Sequence, residues 1–91
     1  MTVEEIRQMA KSGRRQEAID VLSRMLDEGG GNREEVLLEL GVLYNSMADT
    51  TKALNCLNEV LRINPENTKA RTYVQMINGI LNYYCKDLLN P

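Results

Sequence analysis

The fold of this chain is decided by residues 34–67, which read EEVLLELGVLYNSMADTTKALNCLNEVLRINPEN. Apolar residues recur there at spacings of three and four. They are Val36, Leu37, Leu40, Leu43 and Tyr44, followed by Ala53, Leu54, Leu57, Val60 and Leu61. Because an α-helix has 3.6 residues per turn, each group lies along one side of a helix. The segment therefore predicts a helical hairpin whose apolar side must be covered by further helices.

Polar residues and a proline mark the ends of these two helices, and small residues mark the place where the helices are expected to touch. Residues 49–51, Asp-Thr-Thr, offer side-chain oxygens that accept from the first unpaired N–H groups of a helix. Pro65 ends the second helix, because the residue before a proline is disfavoured in helical conformation. Gly41 costs its helix roughly 0.5–1 kcal/mol relative to alanine. We therefore expect Gly41 and the small Ala53 to allow two helices to approach closely.

Residues 34–67 resemble one repeat of the tetratricopeptide repeat (TPR) family, whose period is 34 residues. The family pattern has a large apolar residue, Leu-Gly, Tyr, a small residue at the turn, Ala, an aromatic residue or Leu, a small or apolar residue, and Pro. These places are filled, without a gap, by Leu37, Leu40, Gly41, Tyr44, Ala48, Ala53, Leu57, Val60 and Pro65. The resemblance implies a stack of antiparallel helix pairs that binds proteins on its concave side.

Residues 2–32 resemble a degenerate copy of the same repeat. A capping-box pattern begins a short helix at Thr2, and Gly13 ends it. The following segment, GRRQEAIDVLSRML, matches the second half of the repeat, with Ala18 in the place of Ala53. These alanines are one residue further apart than the family period. We place the extra residue in the run of three glycines that follows, where the family's proline is missing and a looser join is expected.

A further helix is predicted after Pro65, beginning at Asn67 or Thr68 and ending near Lys86. One apolar stripe, predicted to face inward, consists of Ala70, Val74, Ile77, Leu81 and Tyr84. A second apolar stripe consists of Tyr73, Met76, Ile80 and Tyr83. A helix with two apolar sides needs two surfaces against which to bury them.

Together these segments predict an all-α fold. We expect a TPR-like α-solenoid of two antiparallel helix hairpins and a C-terminal capping helix, five helices in all. It forms a single domain, residues 1–91, divided into the degenerate repeat 2–32, the full repeat 34–67 and the capping helix 68–88. Asn32, three residues before a glutamate, is the predicted cap of the third helix.

Composition and charge exclude several classes of function. Eleven basic and thirteen acidic side chains give a net charge of -2, and no basic cluster suited to nucleic acid or an anionic membrane is evident. No apolar run approaches the ~20 residues of a membrane span. The first residues, MTVEEIRQ, lack the features of a secretory signal, so a cytoplasmic location is predicted.

The sequence offers little for catalysis, metals or cofactors. It has no histidine and only Cys56 and Cys85, which cannot supply a zinc site. We expect two free thiols, with a disulfide or a reactive thiol as the alternative. Glu34, Glu35 and Glu39 are expected to form a solvated acidic helix face rather than an acid–base pair. Arg14 and Arg15 could contact a phosphate or a carboxylate, but they are expected to form a charged helix start. The chain is therefore not predicted to be an enzyme, and no cofactor is predicted.

The TPR resemblance implies a concave face lined by the first helix of each pair and by the capping helix. It selects Glu35, Leu38, Glu39, Val42, Asn45, Ser46, Lys69, Thr72, Tyr73, Met76 and Ile80. Leu38 and Val42 are apolar there, so they belong either to a partner surface or to packing against neighbouring helices. One family subtype grips a C-terminal carboxylate with lysines and asparagines at places held here by Leu38, Val42 and Glu39. That activity is not expected.

Two interaction hypotheses follow. In the first, the chain binds a peptide or helix of a partner protein through Glu35, Leu38, Glu39, Val42, Asn45, Lys69, Tyr73 and Met76. In the second, it is a self-assembling scaffold whose capping helix pairs with that of a second copy through Tyr73, Met76, Ile80 and Tyr83. Neither hypothesis involves nucleic acid or a membrane.

Overall fold

The computed structural model contains five α-helices, and it describes the backbone of residues 2–89 and the side chains of residues 2–79. They are α1 (Val3–Lys11), α2 (Arg15–Glu28), α3 (Arg33–Ser46), α4 (Thr50–Ile63) and α5 (Thr68–Leu89). No strand occurs within residues 2–89, so the predicted all-α class is confirmed. The last helix continues to Leu89, slightly beyond its predicted end near Lys86. None of the described helices is long and apolar enough to cross a lipid bilayer.

Four of the helices begin at a side-chain cap that the sequence predicts. Thr2, Asn32, Asp49 and Asn67 each accept a hydrogen bond from the backbone N–H three residues later, at 3.2, 3.1, 3.2 and 2.9 Å. Thr2 forms the full capping box, because the Glu5 carboxylate accepts in return from the Thr2 backbone N–H at 3.3 Å. Each cap contributes about 1 kcal/mol to stability by satisfying an N–H group that the helix itself leaves unpaired.

The turn between α3 and α4 contains a residue in an unusual backbone conformation. Ala48 has a φ of 62°, in the left-handed region that residues with a Cβ rarely adopt. The turn also contains Asp49, whose backbone N–H donates to the Tyr44 carbonyl at 2.9 Å. Alanine is small enough to tolerate the left-handed conformation, but the conformation costs roughly 1–2 kcal/mol. The α3–α4 connection is therefore tight and slightly strained.

The core consists of two apolar clusters that meet at α3. The first lies between α1, α2 and α3 and consists of Val3, Ile6, Ala10, Ala18, Ile19, Leu22, Val36, Leu40 and Leu43. The second lies between α3, α4 and α5 and consists of Leu37, Ala53, Leu57, Val60, Ala70 and Ile77. Each helix packs against the next along the chain, and α1 also contacts α3. Because α3 contributes to both clusters, it is the central helix of the fold.

Two helices approach closely where the sequence predicts it, between α3 and α4. A Cβ atom added to Gly41 would lie 2.7 Å from Cγ of Leu57 and 3.4 Å from the carbonyl oxygen of Ala53. Ala53 and Leu57 are both 0% exposed. The predicted close approach at Gly41 and Ala53 is confirmed, and it fixes how α3 lies against α4.

Most residues of the predicted inward stripe of α5 can be followed in the structure. Ala70 and Ile77 are buried and Val74 is half-buried, as predicted. The side chains of Leu81 and Tyr84 lie outside the described residues. Within the described part, α5 packs on α4 and covers the end of the second apolar cluster.

Candidate functional site

A groove of about 380 Å³ crosses the surface formed by α1, α3 and the beginnings of α2 and α5. Its lining combines basic and apolar side chains with one glutamate and one serine. The lining residues are Arg7, Ala10, Lys11, Arg15, Glu39, Val42, Leu43, Ser46 and Lys69. The groove therefore brings together side chains of four helices, from Arg7 in α1 to Lys69 in α5.

The groove has an apolar floor supplied by α1 and α3. Ala10 and Leu43 belong to the first core cluster and are 9% and 7% exposed. Val42, the residue before Leu43, is half-buried and also lines the groove. This floor can accept an apolar side chain of a ligand, because burying one such side chain is worth roughly 1.5–3 kcal/mol.

One wall of the groove is fixed by an ion pair between α1 and α3. Arg7 donates from Nε and Nη2 to Oε1 of Glu39 at 3.1 and 2.6 Å, and it also pairs with Glu4. The hydrogen bond to Glu39 and the charge of that carboxylate raise the pKa of Arg7 above its ordinary value. Glu39 is only 6% exposed. Its charge is therefore already neutralised within the protein.

The burial of Glu39 corrects the expectation of a solvated acidic face on α3. Of the three glutamates, Glu35 is exposed as expected, whereas Glu39 lies under α1 and binds Arg7. Glu34 accepts hydrogen bonds from the side-chain amides of Asn64 and Asn67 at 3.0 and 2.7 Å. These bonds lower the pKa of Glu34. The expectation was wrong because both contacts come from segments about thirty residues away in the chain.

Three basic side chains of the groove remain available to a ligand. Lys11, Arg15 and Lys69 are all exposed. Among the described side chains, no carboxylate lies within 4.0 Å of their charged groups. Arg14, by contrast, pairs with Glu17 at 2.5 Å. Of the two arginines expected to form a charged helix start, Arg14 is therefore paired with Glu17, whereas Arg15 lines the groove.

Only some of the residues predicted for the concave face line the groove. Glu39, Val42 and Lys69 line the groove, together with Ser46. Leu38 and Tyr73 are half-buried against the second core cluster. Of the two roles considered for Leu38, partner surface or packing against neighbouring helices, the structure therefore favours packing. The remaining described residues of the prediction lie outside the groove lining: Glu35 and Thr72 are exposed, Asn45 is half-buried and Met76 is 45% exposed. The side chains of Ile80 and Tyr83 fall outside the described residues.

Sequence reasoning missed the basic residues Arg7 and Lys11 that α1 contributes, and it expected Arg15 of α2 to be only part of a charged helix start. The first helix lacks the Leu-Gly and Tyr landmarks of the repeat, so no concave face was assigned to it. A signal was nevertheless present, since Arg7 and Lys11 are four residues apart and therefore lie on the same side of one helix turn. Arg15 follows at the same spacing, at the start of α2.

A second surface pocket, lined by α2, the end of α3 and the start of α4, has a different character. Two of its three charged groups interact with each other, since the Lys52 ammonium lies 4.0 Å from the Asp49 carboxylate and 5.6 Å from the centre of the Tyr44 ring. The third, Asp20, accepts a hydrogen bond from the Gln16 side-chain amide at 3.1 Å. Asp49 in turn caps α4. This pocket therefore offers less uncompensated charge to a ligand than the groove does.

The described residues offer little for covalent or metal chemistry. Cys56 is a free, half-buried thiol, and burial raises its pKa, which keeps it protonated and weakly nucleophilic. Cys85 falls among the side chains outside the described residues. No group of three or more His, Cys, Asp and Glu side chains that could hold a metal ion occurs in the described part of the chain.

The groove is suited to recognition of a partially acidic ligand through its charge and its apolar floor.

Comparisons with protein-family models, with curated proteins and with solved structures find no match to this chain.

Proposed function

We propose that this chain is a non-catalytic protein-interaction module, built as a TPR-like α-solenoid, that binds a peptide or helix of a partner protein in the groove. Two features of the packing support the solenoid arrangement. Each helix packs against its neighbour in the chain, and α1 also contacts α3, the next helix but one. The close approach of α3 and α4 at Gly41 is the contact that the repeat pattern requires.

The observation that carries the binding proposal is the composition of the groove. Its lining comes mainly from the first helix of each proposed repeat, with Arg15 from the start of α2 and Lys69 from the start of the capping helix. Its apolar floor lies among cations that have no carboxylate within 4.0 Å in residues 2–79, so these groups have interactions to offer a ligand. Binding a complementary segment satisfies them, which is how helical grooves recognise peptides.

The proposal is tested by filling the groove without disturbing the core. Ser46 is exposed and lines the groove at the end of α3, so Ser46→Trp adds bulk where the ligand would lie. Asn58→Trp is the matched control, because Asn58 is an exposed residue of α4 outside the groove lining. Both variants should unfold at nearly the wild-type temperature.

Proteins captured from the source cells by the wild-type chain should be retained by the Asn58→Trp variant and lost by the Ser46→Trp variant. Quantitative mass spectrometry of the three captures measures this difference. Equal capture by all three proteins would show that the groove is not the binding surface.

A second candidate function is self-assembly through α5. Met76 is 45% exposed on this helix, and α5 has 22 residues where its neighbour α4 has 14. The extra length and the exposed methionine favour a contact between two copies, to which Tyr73, Ile80 and Tyr83 would contribute. Sedimentation equilibrium of the wild type, Met76→Glu and the control Gln75→Glu tests this candidate. A dimer lost only in Met76→Glu supports self-assembly, and a wild-type monomer at micromolar concentration excludes it.

A further inference from the structure

We infer that the segment bound in the groove is acidic, with side-chain carboxylates that contact Lys11, Arg15 and Lys69 and an apolar side chain that packs on Val42. This inference rests on the proposed function and specifies the chemistry of the partner. It is carried by three observations, namely the charge of the groove, the state of its own glutamate and the apolar floor.

The groove is basic although the chain as a whole is acidic. Four basic side chains and one carboxylate line it, whereas the whole chain has a net charge of -2. Some cations elsewhere in the described part pair with carboxylates three residues away, as Arg14 does with Glu17 and Arg62 does with Glu59, whereas Arg24 and Arg71 do not. The exposed cations of the groove have no such partner among the described side chains. A complementary partner therefore brings carboxylates to them.

The one carboxylate of the groove does not oppose this charge. Oε1 of Glu39 accepts two hydrogen bonds from Arg7, and Glu39 is 6% exposed. Its charge and that of Arg7 cancel at short range. Among the charges that line the groove, those of Lys11, Arg15 and Lys69 are therefore left to meet a ligand, while Glu4, outside the lining, also pairs with Arg7.

The positions of these three cations favour several carboxylates over one. Lys11 ends α1, Arg15 begins α2 and Lys69 lies in the first turn of α5, so the charges come from three different helices around the α3 floor. Glutamate or aspartate side chains distributed along a segment can reach separate cations. The floor formed by Ala10, Val42 and Leu43 lies among them and accepts an apolar residue of the same segment.

Nucleic acid fits this groove less well than an acidic protein segment. Binding a single strand requires aromatic side chains on which bases stack, together with a basic surface that follows the backbone. Among the side chains that the structure describes, no aromatic residue lines the groove. The apolar floor would lie unused beneath a sugar–phosphate chain.

The inference is tested with three capped 12-residue peptides, with acetylated and amidated ends so that no terminal charge is present. Each carries a central leucine flanked by glutamates, by glutamines or by lysines. Titration into the isotopically labelled chain, followed by amide chemical shifts, reports both affinity and location. The glutamate peptide should shift amides around Val42, Lys11 and Lys69, and should bind more weakly as salt rises. The glutamine peptide should bind more weakly, and the lysine peptide should not bind.

Charge variants with a matched control identify the cations involved. The variant Arg15→Gln/Lys69→Gln removes one groove cation from α2 and one from α5. The control Arg24→Gln/Arg71→Gln removes two exposed arginines from the same helices, outside the groove lining. The groove variant should weaken binding of the glutamate peptide by roughly 2- to 30-fold, because each exposed ion pair contributes little by itself. The control should bind almost as the wild type does.

Several results would overturn the inference, and they differ from a failure of the proposed function. Equal binding of the glutamate and glutamine peptides at the groove would remove the acidic preference and leave the interaction module standing. If the two double variants weaken binding of the glutamate peptide equally, then binding depends only on the overall charge of the chain and not on the groove cations. Tighter binding of an uncapped peptide through its C-terminal carboxylate, or of a thymidine oligonucleotide, would identify a different ligand. Absence of any groove shift at about 5 mM peptide in low salt would refute the inference directly.

Discussion

The close contact between α3 and α4 predicts that alanine, normally a better helix residue than glycine, is harmful at position 41. A Cβ atom at Gly41 would lie 2.7 Å from Cγ and 2.8 Å from Cδ2 of Leu57. Cγ is the branch point of that side chain, and Leu57 is 0% exposed and enclosed in the second core cluster. Leu57 therefore cannot move aside by rotating a free end, and the helices must separate.

The size of the effect follows from two opposing contributions. Replacing glycine by alanine in a helix gains about 0.5–1 kcal/mol of stability. Overpacking a core costs about 1–3 kcal/mol, and contact with the branch point of a buried leucine places Gly41→Ala in the upper part of that range. We therefore expect a net loss of about 1–2 kcal/mol, which lowers the unfolding temperature of a domain of this size by roughly 4–16 °C.

Gly79 provides the matched control. It lies inside α5, and a Cβ atom added there would meet nothing within 4 Å. Gly79→Ala should therefore show only the gain in stability that alanine brings to a helix, and it should raise the unfolding temperature by roughly 2–8 °C. Thermal unfolding followed by circular dichroism, with urea unfolding for the free energies, measures both variants under identical conditions.

A change in Leu57 separates the contact from other causes. Leu57→Ala should destabilise the chain by about 2–5 kcal/mol, because it leaves a cavity in the core. With the leucine shortened, Gly41→Ala should cease to be harmful and should become neutral or stabilising. If Gly41→Ala stabilises the wild-type chain as much as Gly79→Ala does, then the helices are not in close contact at Gly41 and the packing argument is wrong.

Three further predictions concern the turn, the groove wall and pH. Ala48→Gly should stabilise the chain by up to about 1 kcal/mol in urea unfolding, because the residue has a φ of 62° that glycine adopts without strain. Glu39→Ala should cost about 1–3 kcal/mol by removing both hydrogen bonds to Arg7, and adding Arg7→Ala should cost less than the sum of the single changes. The bonds to Glu34 lower its pKa in the folded state, so they stabilise the fold above the ordinary carboxyl pKa, and this stabilisation is lost as pH falls through the lowered value. The stability difference between wild type and Glu34→Gln should accordingly disappear in acid, as urea midpoints across pH would show.

The helices were predictable because their signals are local. Apolar spacing, the caps at Asn32 and Asp49, and the proline after α4 each act within a few residues. The contact at Gly41 was also predictable, because a glycine inside an apolar helix is otherwise unexplained. In α3, however, the sequence suggested a single apolar side. The structure buries that helix on two sides, with Leu40 in the first cluster and Leu37 in the second.

The groove was only partly predictable because its chemistry depends on contacts between distant segments. Val42 and Lys69 were assigned from their repeat positions. Whether Glu39 faces solvent depends on where α1 lies, and the helix that carries Arg7 has no repeat landmarks. A residue's charge can be read from the sequence, but its neutralisation by a partner 32 residues away cannot.

The energetics of the groove indicate how it would contribute to binding. One apolar side chain on the floor and three exposed ion pairs together offer about 2–6 kcal/mol of contact energy. A micromolar dissociation constant corresponds to about 8 kcal/mol, after the entropic costs of association have been met. The groove therefore selects among segments by charge, while tight binding requires contacts beyond it. The ion pair of Arg7 and Glu39 holds one wall of the groove in place before the ligand arrives. It therefore lowers the entropic cost of ordering these side chains when the ligand binds. It follows that a short peptide should bind weakly and selectively, and that a natural partner must contact additional surface along the same face.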